Sequence, residues 1–176
     1  MTPTHIALVG MPGSGKSATA EALAASTGFA LCDVDALVAE ATGRSPAELI
    51  RADGEDAFRA IEADTLDDAL GGDAAVVSCG AGAVVTPRCR TLLRRREVVT
   101  VWLTVLGATA VARLASSGQD RPLLDSPGAY DRLWHERRRH YLSVADVVVA
   151  TDTRTPAEVA RVISARLAQQ RTGATA

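Results

Sequence analysis

Apolar positions along the chain fall into two alternating rhythms. Short apolar, β-branched runs occur at His5 to Val9, Phe29 to Asp33, Ala75 to Cys79, Val98 to Leu103 and Asp146 to Ala150, the pattern of strands buried on both faces of a parallel sheet. Between them, Gly15 to Ser26, Gly54 to Leu70, Pro87 to Arg95, Gly107 to Ala115, Tyr130 to Leu142 and Pro156 to Gln170 have helical spacing. Several of these open on Pro or Gly, which helix entry tolerates. The alternation predicts a three-layer α/β/α architecture with a five-stranded parallel sheet. Two stretches break the rhythm. Residues 116–128 carry Gly, Ser, Pro and Asp at turn-forming density and read as a mobile lid, and residues 169–176 read as a flexible tail.

Composition narrows the picture. A chain of 176 residues buries one substantial core, so residues 1–168 read as a single domain, without internal repeat or linker. The 47% apolar content excludes wholesale disorder, and a net charge of −2 gives no general attraction to nucleic acid or anionic lipid. Phosphate binding must then be local, and the expected partner is a small molecule. No apolar run approaches the ~20 residues that span a bilayer, and His5 to Gly10 reads as a strand where a leader would be apolar and helical. Cys32, Cys79 and Cys89 are odd in number and show no C-x-x-C pairing, so they read as core thiols. A cytoplasmic monomer is the expectation. His5, His135 and His140 lack ligand-like partners and read as surface or hydrogen-bonding residues, whereas Trp102 reads as core.

One local pattern carries chemistry. Gly10-Met11-Pro12-Gly13-Ser14-Gly15-Lys16-Ser17 is a full G-x-x-x-x-G-K-S match between a predicted strand and a predicted helix. Glycines let the backbone wrap an anion, and the helix aims unpaired N–H groups at it. Gly13, Ser14, Gly15, Lys16, Ser17 and Ala18 are therefore the candidate ATP-phosphate ligands. Lys16 would reach the β- and γ-phosphates and Ser17 would ligate Mg²⁺. Lys16 is the only lysine among 19 basic residues.

Nucleotide binding alone does not specify a reaction. The chain has no asparagine, so it cannot carry the N-K-x-D segment that reads guanine, and a GTPase is excluded. A motor ATPase usually ends its third strand in an acid; here Val76-Val77-Ser78-Cys79 runs into Gly80. The acids stand instead on the second strand, in Asp33-Val34-Asp35, at the sheet edge where open α/β folds bind ligands. Asp33 would hold a Mg²⁺-bound water, and Asp35 would orient an attacking hydroxyl and accept its proton, as a kinase requires. The alternative for Asp35 is a cap on a helix Ala36 to Ala41.

The chain resembles the shikimate kinases from Ile6 to Leu167. The resemblance rests on Gly10 to Ser17, Asp33-Val34-Asp35, Thr42-Gly43-Arg44-Ser45, Gly54 to Glu62, Gly80-Ala81-Gly82-Ala83-Val84, Arg121-Pro122-Leu123-Leu124, and Arg137 followed by Tyr141. It implies a nucleoside-monophosphate-kinase-like fold, ATP and Mg²⁺ as cofactors, and synthesis of 3-phosphoshikimate, with residues 35–62 as the substrate-binding region. By position, Arg59 and Arg137 resemble the family's carboxylate clamp, Asp35 its acceptor-binding acid and Arg121 its lid arginine, while Arg113 and Pro156 are the adenine candidates. Guanidinium forks match carboxylates, which suits the clamp; the alternative for Arg59 is an ordinary helical ion pair with Glu55 and Glu62. Gly80, Ala81 and Gly82 would bring backbone N–H groups to the substrate. The family pattern there is three glycines, and Ala81 replaces the middle one; if that position needs φ > 0, alanine costs about 1–2 kcal/mol. Two other readings stay open: a kinase of another polyol acid such as gluconate, and a nucleotide-binding protein without phosphotransfer.

Overall fold

The computed structural model describes residues 5–117, 124, 126 and 128–173. The five expected strands form as β1 (His5–Gly10), β2 (Ala30–Asp33), β3 (Ala75–Ser78), β4 (Val98–Thr104) and β5 (Val147–Ala150), each end within one residue of expectation. They pair in parallel in the order β2-β3-β1-β4-β5. The helices are α1 (Lys16–Thr27), α2 (Val34–Thr42), α3 (Pro46–Asp53), α4 (Glu55–Gly71), α5 (Pro87–Leu93), α6 (Gly107–Ser117), α7 (Ala129–Val144) and α8 (Pro156–Gly173), with a 3-10 turn at Ala83–Val85.

Strand β1 shows why the sheet has two cores. Its side chains alternate by face, so Ile6 and Leu8 join Leu23, Ala160 and Ile163 under α1 and α8, whereas Ala7 and Val9 join Phe58, Leu66, Leu93 and Tyr141 under α4, α5 and α7. The three layers follow from that alternation. Double burial holds for the central strands but not at the edges. Ala30 and Leu31 of β2 are exposed, and β5 alternates buried with exposed.

Other expectations need correction. Helix α3 was not expected, although Ser45 forms a capping box with Glu48 and Pro46 opens the helix, both readable signals. Helix α8 continues through Gly173, so residues 169–173 extend it, and 174–176 lie outside the described residues. The lid segment falls largely outside them too, Arg121 included; its first two residues close α6, and Leu124 packs against the core. His5 is buried rather than superficial, and that burial lowers its pKa. Cys79 and Cys89 are core thiols as expected, with Cys32 half-buried on the edge strand. Among the described residues no helix is long and apolar enough to cross a membrane.

Leu8 is fully buried on the central strand. Leu8→Ala is expected to lose about 2–5 kcal/mol of unfolding free energy in urea titration, the range for a cavity at a site that cannot collapse.

Candidate active site

The loop between β1 and α1 is shaped by backbone contact. Gly13 and Gly15 have φ of 78° and 85°, a region that favours glycine. A Cβ on Gly10 would lie 2.5 Å from the Leu103 carbonyl oxygen, and one on Gly13 would lie 2.7 Å from that of Ala110. Gly15 is the N-cap of α1 and supplies no side-chain acceptor, so no capping side chain stands over the helix end, whose first-turn N–H groups are suited to an anion. Lys16 Nζ donates to the carbonyls of Gly10 at 2.9 Å and Met11 at 3.2 Å, which folds the ammonium over the loop. Ser14 is fully buried behind it.

Arg113 of α6 supports this loop. Its guanidinium donates to the Gly13 carbonyl at 3.2 Å and to the Thr151 hydroxyl and carbonyl at 3.1 and 2.7 Å, tying the loop to the end of β5. Pro156 is the exposed first residue of α8.

The two acids of β2 and α2 do different work. Asp33, not Asp35, caps α2: its Oδ1 accepts from the Asp35 and Ala36 N–H groups at 3.1 and 3.3 Å. The strand ends at Asp33 and the helix starts at once, which puts the cap two residues before the position considered in the sequence. Asp33 Oδ2 meanwhile accepts from the Ser17 hydroxyl at 2.9 Å, and Ser78 Oγ stands 3.4 Å from Ser17 Oγ. This group of hard oxygens suits Mg²⁺, which binds through one or two carboxylates together with substrate phosphates. Among the described residues there is no cluster of three His, Cys, Asp or Glu that could hold a metal by itself.

Asp35 turns into a cleft lined by Arg59, Glu62, Gly80, Ala81, Gly82 and Arg137, with Pro12 of the phosphate loop at one side. Every acceptor residue expected from the sequence thus meets in one place. Phe58, Pro46, Ala47, Ile50, Leu124 and Leu133 add apolar walls. Arg59 makes the helical ion pairs considered in the sequence, with Glu55 and Glu62 at 2.7 Å each, and it also lines the cleft with its side chain only 12% exposed. Its guanidinium carbon also lies 5.1 Å from the Phe58 ring centre, a cation–π distance.

Glu62 is the cleft residue whose burial the sequence concealed. Its side chain is 0% exposed, and its Oε1 has no hydrogen-bond partner among the described residues, nor has Nε of the buried Arg137. A Cβ on Gly80 would come within 2.0 Å of Glu62 Oε1, and one on Gly82 within 2.0 Å of Arg59 Nη2. These glycines are required by side chains packed against them, not by positive φ, since neither has one. Ala81 has no positive φ either, so alanine carries no strain there.

Burial pushes the Glu62 carboxyl above its ordinary range; Arg59 opposes the shift, Asp35 adds to it, and Arg137 opposes it. Burial works against the Arg59 charge as well, but Glu62 and Glu55 outweigh it and hold the guanidinium above its ordinary value. The cleft therefore keeps the Arg59 guanidinium charged beside a carboxylate held at a cost.

Comparison with known proteins agrees with this geometry. The family model for shikimate kinase matches residues 12–168. The shikimate kinase of Mycobacterium tuberculosis (strain CDC 1551 / Oshkosh) is 40% identical over 170 residues, covering 95% of this chain and 94% of that protein. A solved structure of the shikimate kinase from Acinetobacter baumannii in complex with shikimate superposes with a TM-score of 0.90 at 25% identity, covering 96% of this chain and 95% of the other. A gluconokinase from Sinorhizobium meliloti is more distant, with a TM-score of 0.63 and 21% identity over 99% of this chain and 97% of its own, a likeness of fold alone. With its phosphate loop from Pro12 onward, its acids and its arginine-lined cleft inside the matched region, the chain belongs to the shikimate kinase family.

Proposed function

We infer that the chain transfers the γ-phosphoryl group of ATP, in the presence of Mg²⁺, to the 3-hydroxyl of shikimate, giving 3-phosphoshikimate and ADP in aromatic amino acid biosynthesis. The observation that carries this reading is the meeting of Asp35, Arg59 and Arg137 in one cleft beside the phosphate loop, in a chain of this family. ATP supplies the phosphoryl group, and Mg²⁺ neutralises charge on its phosphates.

The residues of the chain do the positioning. Arg59 and Arg137 clamp the substrate carboxylate, each presenting a planar guanidinium fork that matches carboxylate geometry. Asp35 then faces the hydroxyl, orients it, and takes its proton as the bond from oxygen to γ-phosphorus forms and the bond to the β-bridging oxygen breaks. Lys16 exchanges its loop carbonyls for phosphate oxygens. Ser17 and Asp33 would hold Mg²⁺ when it is bound. Gly13 to Ala18 offer backbone donors, and Arg113 keeps that loop against β5 near the nucleotide, where Pro156 borders the adenine. The family resemblance gives Arg121, on the lid segment, as the cation that closes over the phosphates. We also infer a cytoplasmic monomer; free cysteines suit a reducing compartment.

The direct test is ADP release with Mg-ATP across shikimate, gluconate and related polyol acids. Release is expected with shikimate; its absence while ATP still binds would sink the assignment. Asp35→Asn is expected to lower kcat by about 10²–10⁴, the range for a general base. Arg59→Ala should weaken the acceptor step by about 2–5 kcal/mol, read as a fall in kcat/KM for shikimate with the KM for ATP little changed.

Holding a buried carboxylate in the cleft also has a pH-dependent cost. Folded Glu62 keeps its proton to higher pH than the unfolded chain does, so its contribution to stability is complete below the ordinary carboxylate value of ~4.3 and is lost as pH rises through the raised value. Glu62→Gln removes that dependence. Urea unfolding from about pH 4 to 8 is expected to show the wild type losing stability relative to the variant as pH rises. A difference that stays constant over the range would count against the burial argument.

A further inference from the structure

The turn after β3 has a shape that its residues do not favour. Residues Gly80 to Ala83 close with the Ala83 N–H donating to the Gly80 carbonyl at 3.0 Å, and Gly82, third in the turn, has φ −97° and ψ −3°. Those angles belong to a type I turn. Glycine at the third position favours type II, with φ near +80° and the central peptide turned over. Yet glycine is needed here for a different reason, because any Cβ on Gly82 would strike the Arg59 guanidinium. Packing of Arg59 thus imposes the one residue that leaves the Ala81–Gly82 peptide free to flip.

Tyr141 supplies the missing restraint. Its hydroxyl donates to the Ala81 carbonyl at 2.6 Å, and that carbonyl belongs to the peptide whose orientation separates the two turn types. The ring is fully buried and stacks on Trp102 with centroids 5.6 Å apart and planes 13° apart; Trp102 stacks in turn on Trp134 at 5.9 Å. The phenol is therefore fixed before it reaches the turn. Burial also pushes its pKa far above the ordinary tyrosine value, so it stays a donor at any working pH. In a planar trans peptide the N–H points opposite to the carbonyl, so anchoring the Ala81 oxygen on Tyr141 sends the Gly82 N–H the other way. Ala81 and Gly82 both line the cleft.

We propose that Tyr141 is a positioning residue, whose hydroxyl holds the Ala81–Gly82 peptide so that the Gly82 N–H, and not the Ala81 carbonyl, faces the acceptor cleft. In the flipped turn a carbonyl oxygen would stand where the oxygens of the acceptor and the arriving phosphoryl group need a donor. Tyr141 and Arg137 lie one turn apart on α7, so a single helix face sets both the clamp and the polarity of the opposite wall. The proposal rests on the shikimate reading, which wild-type turnover tests separately.

Tyr141→Phe removes the hydroxyl and keeps the ring. Measured well below its Tm, with the active fraction set by ATP binding, the variant is expected to lose roughly tenfold in kcat/KM for shikimate while the KM for ATP stays unchanged. A purely structural tyrosine would lower Tm and the active fraction without separating the two substrates, and a kcat/KM for shikimate within about twofold of wild type would overturn the proposal. Should the variant fail to fold, the wild type gives the answer by NMR. The Gly82 amide resonance is expected to shift when shikimate is added to the Mg-ADP complex, and a resonance that stays in place refutes the inward N–H.

Discussion

The acceptor half of the molecule is organised by one buried ion pair. Glu62 and Arg59 stand one helical turn apart on α4, and their charged ends press against the turn that follows β3, at Gly80 and Gly82 respectively. Neither glycine tolerates a Cβ without displacing one of the charges. Replacing a buried pair of this kind by apolar residues is often neutral or stabilising, so stability gives no reason to keep it. Its use is geometric. With one carboxylate oxygen committed to Arg59, the guanidinium is preorganised on the cleft wall, and the substrate does not have to order it on arrival. At Arg59 the two glutamates outweigh burial and keep the cation charged, whereas at Glu62 burial prevails and the carboxylate bears the strain.

The nucleotide half meets this wall through a chain of short contacts along the sheet edge. Central β1 delivers the phosphate loop, its neighbour β3 delivers the glycine turn, and β2 beyond that delivers Asp33. Asp33 joins them by using its two oxygens separately, one to cap α2 and one on the Ser17 hydroxyl. Because that cap starts α2 at Val34, Asp35 falls in the first helical turn and leans over Gly80. The two acids do not diverge by strand alternation. They diverge because one ends the strand and the other begins the helix.

The parts legible in the sequence were those governed by local rules. The strand limits were readable because the inner strands are doubly buried and their apolar runs stop where burial stops. The phosphate loop was readable because its glycines answer to backbone geometry within a few residues. Helix α3 went unread because it buries only Leu49, too little for an apolar period, and its signals lay in the Ser45-Pro46-Ala47-Glu48 cap. Glu62 looked like half of a surface pair with Arg59, since spacing on one helix is the same whether the pair is wet or dry. Its burial is decided by α4 lying on the β3 turn, which no local pattern encodes. His5 was misread for a similar reason, as nothing at the start of a strand shows that the strand will be central.

Ala81 shows how a departure from a family pattern is weighed once angles are known. From sequence, a glycine replaced by alanine in a substrate-binding turn pointed to a backbone cost. That argument needed positive φ, and no residue other than glycine has positive φ among the described residues. What the turn requires of position 81 is a carbonyl in the right place. Alanine provides that as well as glycine does, and in the unfolded chain it has less freedom to lose. Positions 80 and 82 cannot make the same exchange, because Glu62 and Arg59 fill the space where their side chains would stand. The middle of the turn is therefore the one place where the pattern can vary without moving a charge.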